Sequence, residues 1–277
     1  MIEVSTAEKH SRFLVLHQQA TTFVMPNPWD AGSARILTAL GFEALATTSA
    51  GLAFALGCRD SAAVLTRDDV LENARAIVAA THLPVSADLE GGFGDDPQSC
   101  AITITRASQV GLVGGSIEDA TGNRAAPIYD FGHAVERVAA AAEAASGLPF
   151  VLTARSENFL WGRPDMDDTI RRLQAFSEAG AEVLYAPGLP DIAAISEVCA
   201  NVDKPVNVVM GLRGAPISVD ELQAAGVKRI SVGGSFARAA LGGLMRAAKE
   251  VRENGTFTYA ADALPDAEAS AFMSDKR

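Results

Sequence analysis

Leu83-Pro84-Val85-Ser86-Ala87-Asp88-Leu89-Glu90-Gly91-Gly92-Phe93-Gly94 is a short apolar run, entered from a proline, that stops at two carboxylates and a cluster of glycines. The pattern reads as a buried strand running into a tight loop, and Asp88 and Glu90, two apart, leave the same face of it. Carboxylates at the end of a buried strand are costly unless something cationic uses them. A second run, Gly115-Ser116-Ile117, ends in the same way at Glu118-Asp119. The repetition makes a divalent metal site the first expectation.

Outward from these two runs, strands are expected near 23–27, 43–47, 84–89, 113–118, 149–154, 182–185, 205–209 and 229–232. Helical patterns lie between them near 31–41, 67–80, 97–110, 131–146, 166–179, 191–200 and 218–225, with a last one near 236–253. Eight strand–helix units without a Pro, Gly or Ser-rich linker fit an α/β chain folded as a (β/α)8 TIM barrel better than an open doubly wound sheet. Residues 4–20 add an N-terminal helix, 22–254 hold the barrel and last helix, and 255–277 read as a polar tail, so 1–277 is one domain. Barrel enzymes place their chemistry in the loops after the C-terminal ends of the strands. Asp88, Glu90 and Glu118 sit at two such ends, on neighbouring strands. Glu is a poor helix N-cap, which weighs against a merely capping role.

Composition narrows the classes. The 277 residues are 48% hydrophobic and 21% charged, enough apolar material for a large core. A net charge of −11 argues against a nucleic-acid surface, which needs a basic patch. No apolar run approaches the roughly 20 residues of a membrane span, and the start Met1-Ile2-Glu3-Val4-Ser5 lacks the basic and apolar regions of a signal peptide. Cys58, Cys100 and Cys199 are odd in number and far apart, which suits a reducing compartment. A soluble cytoplasmic protein is expected.

The lysines, Lys9, Lys204, Lys228, Lys249 and Lys276, avoid the C-terminal strand ends, which argues against a Schiff-base aldolase. His10, His17, His82 and His133 are equally misplaced for a zinc hydrolase. Carboxylates without imidazole or thiolate partners select a hard cation, Mg2+ or alternatively Mn2+. Asp60 is either an outer acid of the same site or a turn or capping residue. Arg155 ends strand five and suits a bidentate clamp on a carboxylate or phosphonate. Arg59, Arg124, Arg163 and Arg213 lie in other loops of the same end. Asn207, polar within an apolar strand, is either a satisfied core amide or a ligand contact. Thr47-Thr48-Ser49-Ala50-Gly51-Leu52 offers hydroxyl and N–H donors to an oxyanion, and Gly233-Gly234-Ser235 offers a helix start to a phosphate.

These pieces resemble the isocitrate lyase and phosphoenolpyruvate mutase superfamily. The matching elements are Asp30-Ala31 with Ser33-Ala34, Thr48-Ser49-Ala50-Gly51, Arg59-Asp60, the Ala87 to Gly94 segment, Ile117-Glu118-Asp119 and Ala154-Arg155, in the family's order. The resemblance implies a barrel, a homotetramer or dimer with its last helix swapped between subunits, and Mg2+ held directly by Asp88. Asp60, Glu90 and Glu118 would act largely through water on the metal. Thr48, Ser49, Ala50 and Arg155 would hold the 2-oxo acid end of a 2-oxo or 2-hydroxy carboxylate substrate; Asn207 joins them as a substrate contact on its position in strand seven, not on the resemblance.

The loop after strand four, Asp119-Ala120-Thr121-Gly122-Asn123-Arg124-Ala125-Ala126-Pro127-Ile128-Tyr129-Asp130, holds no Cys or His. Isocitrate and methylisocitrate lyases carry a Lys-Lys-Cys-Gly-His stretch near there, and the mutases a Lys and an Asn-Ser pair. The reading is therefore a Mg2+-dependent lyase that cleaves a C–C bond of a small oxaloacetate-like or methylisocitrate-like dicarboxylate through a metal-stabilised pyruvate enolate. Arg155 and Glu118 would serve the reaction, with Thr121, Asn123, Arg124 or Tyr129 closing over the site. The rivals are C–P chemistry on phosphonopyruvate or phosphoenolpyruvate, a phosphosugar barrel using Gly233-Gly234, and a non-catalytic metabolite binder.

Overall fold

The computed structural model describes residues 4–60, 64–212 and 216–274; Arg213, one of the loop cations considered above, lies outside them. The strands are β1 (Phe23–Met25), β2 (Leu45–Ala46), β3 (Val85–Asp88), β4 (Gly114–Glu118), β5 (Val151–Arg155), β6 (Val183–Tyr185), β7 (Val206–Val209) and β8 (Arg229–Ser231). The helices are α1 (Thr6–Gln18), α2 (Ala31–Ala39), α3 (Ser49–Ala55), α4 (Arg67–Ala79), α5 (Pro97–Gln109), α6 (Phe131–Ala145), α7 (Met166–Glu178), α8 (Ile192–Asn201), α9 (Val219–Ala224), α10 (Ser235–Asn254) and α11 (Asp266–Met273). All eight strands fall within a residue of the expected ranges.

The strands form one parallel sheet in the order β1-β8-β7-β6-β5-β4-β3-β2. The Ala46 amide donates to Pro26 O at 3.0 Å, bringing β2 back against the end of β1 and nearly closing the ring. The chain is a (β/α)8 TIM barrel. Its helices start where short polar side chains cap them: Asp30, Thr66, Asp96, Asp165, Asp191 and Ser218 each accept a backbone N–H of the first turn.

Two segments differ from the sequence reading. The loop after β2 winds into α3, with Thr48 as its N-cap accepting from Gly51 N–H at 3.2 Å. The tail after α10 contains a 3-10 turn at Thr258–Ala261 and then α11. Met273 of α11 reaches Gly32 of α2, and Arg35 Nη1 donates to Met273 O at 2.9 Å. Among the described residues, no helix is long and apolar enough to cross a membrane.

Helix α1 closes the lower mouth of the barrel. Fully buried Phe13 packs with Phe23, Ala44, Val113, Val151 and Val183 in an apolar floor. A Cβ at residue 114 would lie 2.9 Å from the Phe13 ring, so β4 carries Gly114 there. Above the floor the interior turns polar. Buried Arg229 donates from Nε to Asn207 Oδ1 at 2.8 Å and from Nη2 to Thr153 Oγ1 at 3.0 Å. His17 Nδ1 lies 2.8 Å from Phe13 O and therefore carries its proton there, leaving Nε2 to accept from Arg229 Nη1 at 3.3 Å. Burial first, and then the Arg229 charge, push His17 down to about 3, so it is neutral.

Candidate active site

At the opposite mouth, β3, β4 and β5 deliver charged side chains to one point. Arg155 Nη1 lies 3.1 Å from Asp88 Oδ1 and 3.2 Å from Glu118 Oε2, while its Nε and Nη2 lie 2.9 and 2.8 Å from Glu157 Oε1. Parallel register explains the meeting, because Glu118 pairs with Arg155, and Asp88 with Ser116, across adjacent ladders. Ser49 Oγ donates to Asp88 Oδ2 at 2.8 Å. The Arg155 guanidinium lies 4.9 Å from the Tyr185 ring centre. A cavity of about 1500 Å³ opens above this cluster, and Asp60, Asp88, Glu90, Glu118 and Arg155 line it.

The acidic glycine segment bends sharply at this point. Glu90 and Phe93 hold left-handed backbone, φ 46° and 60°, which costs about 1–3 kcal/mol at each non-glycine position. Gly92, φ 77°, is required twice over, since a Cβ there would also lie 2.8 Å from Cys100 Sγ. The bend sends Leu89 into the core and leaves Glu90 half-buried beside the cluster. Arg137 of α6, 1% exposed, holds the loop from behind.

Carboxylates outnumber cations here, and their proton affinities record it. Burial, then the charges of Asp88 and Asp60, raise the Glu90 carboxyl to about 7. Burial also holds Glu118 well above the usual range against the pull of Arg155, with Glu157, Asp88 and Glu90 adding to the rise. Burial opposes the Arg155 charge, but Glu157, Glu118 and Asp88 outweigh it and keep the guanidinium protonated. A carboxyl whose affinity is higher folded than unfolded gains a proton on folding, so stability falls as pH rises from the ordinary carboxyl range toward 7. Calorimetric melting midpoints between pH 5 and 8 are therefore expected to fall more steeply in the wild type than in Glu90→Gln; parallel curves would refute the assignment.

The sequence candidates separate into three groups. Asp88, Glu118 and Arg155 meet directly, with Glu90 and Asp60 close enough for their charges to act on one another. Among the described residues, no three His, Cys, Asp or Glu side chains converge as a ready-made metal cage; the Arg155 guanidinium lies between the carboxylates instead. Thr48, Ser49 and Ala50 line the cavity, but the Thr48 hydroxyl caps α3 and Ser49 bonds Asp88. Thr121 and Arg124 line it as well. Asn123 is not in the lining and turns its Oδ1 to Ala125 N–H at 3.0 Å. Asn207 has the core-amide geometry, 2% exposed, with both ends of its amide bonded to Arg229 and Ser231. At the start of α10 two amides are already used, Gly233 N–H donating to Asn27 Oδ1 and Ser235 N–H to Val232 O, while Gly234 lines the cavity.

A profile of the phosphoenolpyruvate phosphomutase family matches residues 13–252. The chain belongs to that family. Membership places it in the isocitrate lyase and phosphoenolpyruvate mutase superfamily, among lyases and mutases. A solved structure from Burkholderia cenocepacia J2315 is 54% identical, with a TM-score of 0.95, and the match covers 98% of this chain and 97% of the other. The 2-methylisocitrate lyase of Escherichia coli K12 is 30% identical over 72% of this chain and 69% of its own length. The oxaloacetate decarboxylase of Ectopseudomonas mendocina is 28% identical over 73% and 70%.

Within this family member, three site residues escaped the sequence reading. Glu157 follows Arg155 by two, the same spacing that singled out Asp88 and Glu90, so that rule applied to strand five finds it. Tyr185, the last residue of β6, lines the cavity and would follow from the strand-end rule as well. Arg137 carried no signal, being one arginine on a helix face. Asp119 is buried, accepts Glu157 N–H at 2.8 Å and pairs with Arg172 at 3.1 Å, so it supports Glu157 from behind.

Proposed function

We propose that this family member is a divalent-cation-dependent lyase that cleaves a C–C bond of a small oxaloacetate-like or methylisocitrate-like dicarboxylate. The observation that carries the reading is the cluster of Asp88, Glu118 and Glu157 around the single guanidinium of Arg155, with Glu90 beside it at the open mouth of the barrel. The names of the two curated relatives, a methylisocitrate lyase and an oxaloacetate decarboxylase, support the same substrate class.

The donor set fits Mg2+ or Mn2+. It offers oxygen alone, and its crowded negative charge favours a hard cation. Mg2+ commonly takes one or two carboxylates and keeps several waters, so no three-ligand cage is needed. Asp88 would hold it directly, with Asp60, Glu90 and Glu118 reaching it through water. When bound, the cation supplies positive charge against the oxygens of a developing enolate.

The chain's own groups do the rest. Arg155 Nη1 donates to Asp88 Oδ1 at 3.1 Å and lies in ion-pair distance of Glu118. Once Asp88 turns to a cation, Nη1 becomes available to a substrate carboxylate, while Glu157 keeps the guanidinium in place through Nε and Nη2. The loop at 119–130, with Thr121 and Arg124 on the cavity, excludes water or delivers a proton to the product enolate.

The test is pyruvate formation from oxaloacetate, methylisocitrate and phosphonopyruvate, with Mg2+ and then with EDTA. Turnover of one of the two dicarboxylates that EDTA abolishes is the expected result. Metal-independent turnover, or turnover of phosphonopyruvate alone, would sink the reading.

Assembly belongs to the same proposal. Along the 20 residues of α10 only Ala237 is buried, while Leu241, Leu244, Met245 and Val251 face outward. A homotetramer or dimer that receives this helix in a neighbouring copy would cover them. Light scattering after gel filtration is expected to give a multiple of the chain mass, and Leu244→Asp to lower it; an unchanged mass in the variant counts against helix exchange.

A further inference from the structure

Arg137 is a buried cation with no carboxylate within ion-pair distance among the described residues. Its Nη1 donates to Gly94 O at 2.8 Å and to Asp95 O at 2.5 Å, and its Nη2 to Gly91 O. Three carbonyls of the left-handed segment that follows Glu90 thus converge on one side chain. Burying a charge is expensive unless strong hydrogen bonds compensate it, so these contacts fix the loop firmly or not at all.

The far face of the same guanidinium is covered by Tyr129, with the ring centre 4.3 Å away. Tyr129 Oη donates to Asp95 Oδ1 at 2.5 Å. Tyr129 also anchors the loop at 119–130: its N–H donates to Asp119 O at 2.9 Å, and its carbonyl accepts from Arg172 Nη1 at 3.0 Å. The two loops touch through their backbones too, since a Cβ on Gly91 would lie 3.1 Å from Ala120 O.

We propose that Arg137 is a positioning residue that, with Tyr129 as its tether, joins the acidic glycine loop carrying Glu90 to the 119–130 loop, so that the two segments order and open as one unit. The consequence for Glu90 rests on the cation reading above; the coupling between the loops does not. Tyr129 thereby serves as a tether and not as a proton donor.

Hydrogen exchange by mass spectrometry on the full, metal-free chain tests the coupling. Tyr129→Phe keeps the ring and removes only the bond to Asp95. It is expected to speed exchange about tenfold in peptides covering both 91–95 and 119–130, while α6 and the strands keep wild-type rates. Acceleration confined to one of the two segments, or absent from both, overturns the proposal. Arg137→Lys keeps the charge but not the fork; it is expected to free both segments and weaken Mg2+ binding about tenfold by calorimetry, the scale of losing an outer support of a metal site. Unchanged Mg2+ affinity with both loops freed would also overturn the claim about Glu90. If the wild type takes up no Mg2+, the cation reading fails by itself, and the exchange pattern still decides the coupling. Should Arg137→Lys not fold, Tyr129→Phe carries the decision.

Discussion

Asp88→Ala is expected to lower cation-dependent turnover by about 1000-fold, the scale at which one preorganised transition-state partner is lost, while the melting midpoint stays at or above that of the wild type. The two effects part company because Asp88 occupies opposite positions in function and in stability. It is the carboxylate on which the proposed cation depends. In the cation-free fold, however, it is one of several negative charges crowded around Arg155, and its charge is the second cause, after burial, of the raised Glu90 affinity. Without it Arg155 still pairs with Glu118 and Glu157. Ser49 loses its acceptor, but its side of the site opens on the cavity, where water can replace the carboxylate. Turnover and Mg2+ titration, measured beside a thermal melt, check both halves. Retention of turnover within tenfold, or unaltered Mg2+ affinity, would remove Asp88 from the proposed site.

Arg155→Met is expected to do the reverse, damaging stability as well as activity. It leaves Asp88, Glu118 and Glu157 without their shared cation, and removing one partner of a buried ion pair costs about 3–5 kcal/mol. For a chain of this size that corresponds to a loss of roughly 5–9 °C in melting midpoint. The pH dependence gives the cause away. Stripped of Arg155, the buried carboxyls bind protons more tightly folded than unfolded, so the variant is expected to lose stability as pH rises and to approach the wild type under acidic conditions. Arg155→Lys should not restore activity, because an ammonium cannot contact Glu157 through two nitrogens while reaching Asp88 and Glu118. A deficit independent of pH would mean that the guanidinium matters by packing on Tyr185 rather than by charge.

The strand ends were legible because parallel-barrel strands are buried on both faces and read as apolar runs, which makes an acid at their ends conspicuous. Asp88, Glu90 and Glu118 stood out for that reason, and Arg155 for the same position on strand five. The helix starts were equally legible, since Asp, Ser and Thr caps act within a few residues of the chain. The loop after β2 was harder. Thr48-Ser49-Ala50-Gly51 looks like a turn, yet Thr48 caps a helix there, its hydroxyl oxygen accepting from Gly51 N–H. At Gly233-Gly234 the Gly233 amide is taken by Asn27, some two hundred residues earlier in the chain, a contact that no local pattern announces.

By itself, the sequence determined the eight-fold alternation, the family and the identity of the acids at the barrel mouth. The alternation and the acids rest on local periodicity and on the cost of placing a carboxylate at the end of an apolar strand, and the family on the motifs that the chain shares with its other members. Only the tertiary structure decided which groups share a charge: that Glu157 grips Arg155, that Arg229 and Ser231 engage both ends of the Asn207 amide, and that Arg137 reaches from α6 to the loop behind Glu90. Those contacts join residues that the barrel brings together and the chain keeps apart. Electrostatic energy depends on distance and burial, which no spacing along a sequence encodes.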